Sequence, residues 1–314
     1  MAARRYAPEG ALVLAAFLFG ITFVLVGDAL DDVTPAAFLV LRFALAVVVL
    51  APVAIVSMRT APSPSPASPS PGSPTRPPPT PRPDRRTLVR VGAVAGVLLF
   101  GGFAAQTVGL QDTSPATSAF ITGLFVIFTP FVQAVVDRAW PPASVVLCAG
   151  LAAFGLYLLT GADLGFGRGE VATLICAVVF ALWIVYQGRH ATRVPPIPFT
   201  TVQMAVLVVV GLPWLAVAGV GDLTATAWLA VAVTGIACSA VALTLQLWGQ
   251  RRIPAPRAAL ILLLEPVFAG VVSVLAGERL GASDLLGAGV ILVAIALAER
   301  GPRRPRGARP RAAR

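Results

Sequence analysis

Residues 35–58 read PAAFLVLRFALAVVVLAPVAIVSM, twenty-four residues with a single charge, Arg42. As an α-helix the run is about 36 Å long, enough to cross a hydrocarbon core about 30 Å thick. A segment surrounded by lipid must satisfy its own backbone hydrogen bonds, and the helix does so. Nine further apolar runs follow the same reading: 9–27, 88–110, 114–136, 143–161, 169–187, 197–219, 224–248, 256–277 and 282–299. The sequence therefore predicts an all-α integral membrane protein with ten transmembrane helices. Composition agrees, because 57% of the 314 residues are hydrophobic and only 12% are charged, against about 25% charged in soluble domains. A soluble enzyme is excluded, and so is an outer-membrane barrel, whose strands alternate polar and apolar residues.

The net charge of +10 comes from arginine alone, and the arginines sit between the apolar runs. That distribution is a topology signal rather than a nucleic-acid footprint, and no nucleic-acid partner is expected. With the N-terminus inside, the inner segments and the C-terminal tail hold 21 of the 24 arginines. The outer loops hold two, Arg168 and Arg279, while Arg42 lies within a span. Outer loops instead collect acids such as Asp28, Asp32, Asp112, Asp222 and Asp284. Both termini are accordingly expected in the cytoplasm, with the protein in the inner (plasma) membrane. The first run is read as a span and not as a cleaved signal, because no small-residue cleavage site follows it. Residues 61–83 contain eleven prolines, so no packed structure is expected in the cytoplasmic loop 59–87.

Shifting the chain by 161 residues superimposes spans 1–2 on spans 6–7. Eleven identities fall in the 35 positions from Phe19 to Val53, among them Phe19/Phe180, Gly27/Gly188, Pro35/Pro196 and Pro52/Pro213. A shift of 140 pairs Gln106 with Gln246 and Gly109 with Gly249 in spans 3 and 8. Each half carries five spans, an odd number, so the second half enters the membrane from the opposite side. Two inverted five-helix repeats are expected, residues 1–165 and 166–300, followed by a basic tail at 301–314. This is a recurrent design of secondary transporters.

Three stretches resemble the EamA domain of the drug/metabolite transporter superfamily: GITFVLVGDALDDVTPAAFLVLRF at 20–43, QTVGLQDTSPATSAFITGLFVIFTPF at 106–131, and RIPAPRAALILLLEPVFAGVVSVLAGERLGASDLLGAGVILVAIALAE at 252–299. The chain departs from the pattern where VVDRAWPP stands in the first half opposite LAGERLGAS in the second, and in its proline-rich insertion. The resemblance implies ten helices, a central cavity lined by spans 1, 3, 4, 6, 8 and 9, and export of a small metabolite (amino-acid-like, nucleoside or drug-like). A lipid-linked carrier or flippase and a non-transporting membrane scaffold are the alternatives. Membrane lipids are expected partners and protons a candidate one; monomer and homodimer are both compatible with the sequence.

Charges inside a span are costly and mark function. Glu265 lies near the midplane, about 13 Å from one end of its span and 18 Å from the other, and Pro266 after it breaks the helix ladder. Proton coupling, substrate binding or a cap on the broken helix would each explain it. Arg42 lies about 10 Å below the outer edge, where it binds an anionic group, pairs with an acid or snorkels outward. The amides of Gln106, Gln133, Gln203 and Gln246 need partners in lipid and should face the interior, for hydrogen bonding between helices or as cavity lining. Gln203 is the repeat partner of Arg42. Trp183, Tyr186 and Trp248 fit either a cavity or an interface. Trp140, Trp214 and Trp228 sit near span ends, as in an aromatic belt, and Gly92 with Gly96 reads as a close helix crossing. The substrate and ion pathway is thus assigned to Glu265, Arg42, Gln106, Gln246, Gln203 and Trp183. Cys148, Cys176 and Cys238 read as buried apolar side chains, and His190 as a solvated loop residue. The sequence has no nucleotide-binding loop, metal cluster or nucleophile with a base, so neither a cofactor, a metal nor an enzymatic activity is expected.

Overall fold

A computed structural model describes residues 6–20, 29–30, 32–60, 84–113, 115–161, 167–275 and 281–300. The proline-rich loop at 61–83, the basic tail and the second half of span 1 lie outside the described residues. Among the described residues thirteen α-helices follow one another: α1 Ala7–Gly20, α2 Pro35–Thr60, α3 Arg85–Asp112, α4 Pro115–Gly123, α5 Phe125–Asp137, α6 Ala143–Thr160, α7 Arg168–His190, α8 Pro196–Ala218, α9 Ala225–Val233, α10 Leu243–Gln250, α11 Ala255–Leu262, α12 Glu265–Leu275 and α13 Ala282–Arg300. A nine-residue π-helical stretch, Thr234–Ala242, joins α9 to α10. No strand occurs among the described residues. Eight of the resulting rods are long and apolar enough to cross a membrane, and Ala7–Gly20 and Ala282–Ala298 are shorter apolar helices. Ten spans fit this set. Spans 4, 8 and 9 are composite: α4–α5, α9–π–α10 and α11–α12.

Small residues set how the rods pack. The α3/α7, α6/α13 and α2/α8 pairs make the most extensive contacts, and α8 also lies along α3. Gly155 on α6 would place an added Cβ 2.8 Å from the carbonyl oxygen of Gly287 on α13. On α3, a Cβ at Gly92 or Gly96 would run into Val202, Val206 and the backbone oxygen of Gln203 on α8. The GxxxG step is therefore a helix crossing, where apolar lipid offers no hydrophobic drive and close approach supplies dispersion instead.

Polar contacts tie the two ends of the bundle. At the arginine-rich end, Arg257 pairs with Glu9 at 3.3 Å and Arg189 with Asp137 at 3.3 Å. At the opposite end the Thr34 hydroxyl donates to Gly219 O at 2.7 Å, Thr224 to Asp32 Oδ2 at 2.8 Å, and Thr113 to Glu170 Oε1 at 2.6 Å. His190 departs from the expectation of a solvated loop. It is the last residue of α7 and half-buried, with Nδ1 2.9 Å from the Tyr186 carbonyl and its ring 4.4 Å from that of Tyr186. Gln133 does not turn to the interior either, because the nearby Asp137 accepts its amide at 2.6 Å. Trp140 and Trp228 are exposed near span ends, Trp214 stacks edge-on against Phe100, and the three cysteines are buried.

Candidate functional site

Spans 1, 3, 4, 6, 8 and 9 enclose a cavity of about 90 Å³. Ten of its twelve lining residues form pairs under the two shifts seen in the sequence. Phe19 and Phe180 differ by 161 positions; Phe103 and Leu243, Gln106 and Gln246, Thr122 and Leu262, and Phe125 and Glu265 each differ by 140. The remaining two, Trp183 and Ile184, would pair with Thr22 and Phe23, which lie outside the described residues. Equivalent positions of the two halves thus meet at one place.

The helix interruptions obey the same rule. Leu124 is a one-residue break between α4 and α5, and Leu263–Leu264 separates α11 from α12. Leu124 and Leu264 also differ by 140. Each break places the next residue, Phe125 or Glu265, at the start of the following half-helix and on the cavity wall. A carboxylate at the first turn of a helix is favourably placed with respect to the helix dipole. The pairing also shows where symmetry fails. Where one half offers the Phe125 ring, the other offers the Glu265 carboxyl, and Glu265 is the one ionisable side chain among the lining residues.

An aromatic wall runs along one side. Phe103 packs 5.2 Å from Phe43 and 5.1 Å from Phe180, edge-on to the latter, and Phe180 leans on Trp183 at 6.2 Å. Arg42 sits behind this wall. Its guanidinium carbon is 5.0 Å from the Phe43 and Phe103 ring centres and 5.7 Å from that of Phe38, within cation–π range. Its Nε donates to Ser239 Oγ at 3.2 Å, a contact supplied by the π-helical stretch of span 8. Such stretches are rare and are concentrated at functional positions. Arg42 is 7% exposed, so it does not snorkel. The ion pairs among the described residues are Arg257–Glu9 and Arg189–Asp137, so Arg42 and Glu265 do not pair directly.

Of the six pathway residues assigned from the sequence, Glu265, Gln106, Gln246 and Trp183 line the cavity. Gln203 stands one layer behind, accepting a 3.2 Å hydrogen bond from Trp183 Nε1, and Arg42 stands behind Phe103. Gln106 donates to Thr122 Oγ1 at 3.4 Å, joining spans 3 and 4. Trp248 is 39% exposed and is not among the lining residues. Sequence reasoning did not pick out Phe19, Phe103, Thr122, Phe125 or Phe180. The 140 shift was the signal that would have found Thr122 and Phe125, once applied to Leu262 and Glu265. A larger groove of about 450 Å³ between α3, α5 and α7 is walled by Leu98, Val132 and Leu182. Tyr186, Arg189, His190 and Arg193 line it as well, at the arginine-rich end.

A bundle of apolar helices around a mainly apolar cavity that carries two glutamines, a threonine and one carboxyl group is an arrangement suited to a membrane transporter. The chain belongs to the EamA-like transporter family, whose model matches it twice, at residues 9–161 and 167–299; this is the drug/metabolite transporter superfamily of the sequence resemblance. It is 28% identical over 294 residues to an uncharacterized transporter of Archaeoglobus fulgidus, covering 93% of this chain and 85% of that one. A protein of known crystal structure has the same fold, with a TM-score of 0.71 over 91% of this chain and 94% of the other at 19% identity.

Proposed function

We propose that the protein is a secondary transporter that exports a small polar metabolite by alternating access, with Glu265 carrying the coupling proton. The cavity carries this reading. Its lining is assembled from residue pairs of two five-span halves, and the pairing supports an inverted repeat with a pseudo-two-fold axis through the cavity. Related halves that exchange conformations turn an inward opening into an outward one. At about 90 Å³ the cavity holds about three waters, whereas ligand sites measure about 300–1,000 Å³. Loading a metabolite would therefore require the halves to separate. Walls drawn from six spans favour a solute over a lipid-linked substrate.

A carboxyl group at the cavity wall can take a proton from one side and release it to the other, as intramembrane acids do in proton relays. Arg42, behind the aromatic wall, supplies a positive field without blocking the cavity. The arginine distribution of 21 inside against two outside supports an inner-membrane orientation with both termini in the cytoplasm. The test is a toxicity and efflux screen in cells expressing the protein, across amino acids, nucleosides and cationic drugs. Protection from at least one polar solute is expected, and protection confined to hydrophobic cations would contradict the substrate class.

A further inference from the structure

Buried polar side chains continue beyond Trp183. Toward the arginine-rich end, α7 presents Gln187 one turn beyond Trp183, and α8 presents Thr200 one turn beyond Gln203. On α10, Gln250 lies one turn beyond Gln246 and donates to Ile184 O on α7 at 3.2 Å. Gln187, Thr200, Gln203 and Gln250 are fully buried, and Gln246 nearly so. Both amide atoms of Gln187, the Thr200 hydroxyl and the Nε2 atoms of Gln203 and Gln246 have no hydrogen-bond partner among the described residues. Buried polar groups are almost always paired, and one built for packing alone would have been replaced by an apolar side chain at no loss. These five atoms lie on three helices, α7, α8 and α10; Gln246 itself lines the cavity, and Gln203 is joined to the lining by the hydrogen bond it accepts from Trp183. Nearer the arginine-rich end Ala191, Val194, Phe199 and Ile253 are buried as well. There the Glu9–Arg257 ion pair, its side chains 18% and 15% exposed, ties span 1 to span 9.

We infer that Gln187, Thr200, Gln203 and Gln246 line the cytoplasmic half of the solute route, shut in this conformation, and that the Glu9–Arg257 pair latches it shut. The inference rests on the transport reading and extends it. Unpaired amides and a hydroxyl are costly while the route is closed, and they are satisfied by water and solute once it opens. The closed state is thereby kept from becoming too stable to leave, and the ion pair counterbalances it. The chemistry also narrows the substrate. A lining of amides and a hydroxyl, without a charged side chain in it, suits a polar solute that both donates and accepts hydrogen bonds, and not a lipophilic cation.

The test is thiol accessibility, which needs no identified substrate. Cys148, Cys176 and Cys238 are replaced by alanine, and Gln187→Cys or Thr200→Cys is introduced into that background. Inside-out vesicles are then treated with a membrane-impermeant methanethiosulfonate reagent; Thr192→Cys, in the exposed turn after α7, reports the cytoplasmic face. Both buried positions are expected to label slowly from that face. Adding Glu9→Gln should raise the labelling rate about fivefold, the population shift that follows loss of a partly buried ion pair. Should Thr192→Cys label while Gln187→Cys and Thr200→Cys stay unlabelled with or without Glu9→Gln, the assignment is overturned. Gln106→Cys separates the two readings. Its labelling from the outer face, with positions 187 and 200 silent, leaves the transporter reading standing and removes this one. Silence at 106 from both faces removes both.

Discussion

Transport by the Glu265→Gln variant is expected to fall at least about tenfold, equivalent to about 1.4 kcal/mol of lost transition-state stabilisation, and to lose its response to a proton gradient. The substitution keeps the shape of the side chain and its place at the start of α12, so the cavity and the Leu263–Leu264 break remain. What it removes is the ability to take up and release a proton at the one ionisable position on the cavity wall. A purely structural cap would be served almost equally well by the amide, because glutamine still presents an oxygen to the first turn. The measurement is uptake into vesicles at two external pH values, with protein amount normalised by immunoblot. A variant that transports at the wild-type rate with the wild-type pH response excludes Glu265 from coupling.

Gly20→Ala is expected to abolish transport and to destabilise the bundle by about 1–3 kcal/mol, the range for overpacking a filled interior. Gly20 ends the described part of α1 where it crosses α12. A Cβ there would lie 2.5 Å from the Glu265 carbonyl oxygen, 3.0 Å from the Ala269 amide nitrogen and 3.0 Å from Phe268 Cβ. Two of these three neighbours are backbone, which cannot rotate out of the way, so spans 1 and 9 must move apart beside the Glu265 site. The same helix supplies a control. Gly10, one helix face and about 15 Å away, has nothing within 4 Å of a would-be Cβ. Gly10→Ala should therefore melt and transport as the wild type does. Equal behaviour of the two variants in a thermal melt of detergent-solubilised protein would mean that α1 and α12 are not held this closely.

The crossing at Gly20 was silent in the sequence, and the reason is general to this chain. In a soluble protein the buried face of a helix announces itself by contrast with a polar face. Here both lipid and interior are apolar, so Phe103 and Phe180 on the cavity wall look no different from Phe154, which is 55% exposed. What remained legible was whatever is expensive in lipid. The ten apolar runs followed from length and composition, and Gln106, Gln246 and Glu265 stood out because an amide or carboxyl inside a span demands a partner. Those residues do converge on one cavity. Gln133 was raised by the same argument and lies elsewhere, since Asp137, one turn away, satisfies it locally. Gln187 and Gln250 carried the same signal but sit near span ends, where a glutamine is read as solvated. Arg42 was visible as an anomaly, but nothing in the sequence could show that three phenylalanines, Phe38, Phe43 and Phe103, wrap its guanidinium. Ser239 meets it from a π-helical stretch that no hydropathy pattern encodes. The repeat was partly legible: the 161 shift was supported by eleven identities, the 140 shift by little beyond Gln106 and Gly109. Its consequence, the pairing of Thr122 with Leu262 and Phe125 with Glu265, needed the cavity to be seen.

On the proposed mechanism a polar solute crosses this cavity in exchange for a proton taken up at Glu265. The most direct measurement is solute flux in liposomes that contain only the purified protein, using the solute class returned by the cellular screen and an imposed pH gradient. Expected are accumulation against the solute gradient by the wild type, collapse of that accumulation when a protonophore dissipates the pH gradient, and no gradient-driven accumulation by Glu265→Gln. Accumulation that survives the protonophore and is the same in wild type and Glu265→Gln would contradict this mechanism.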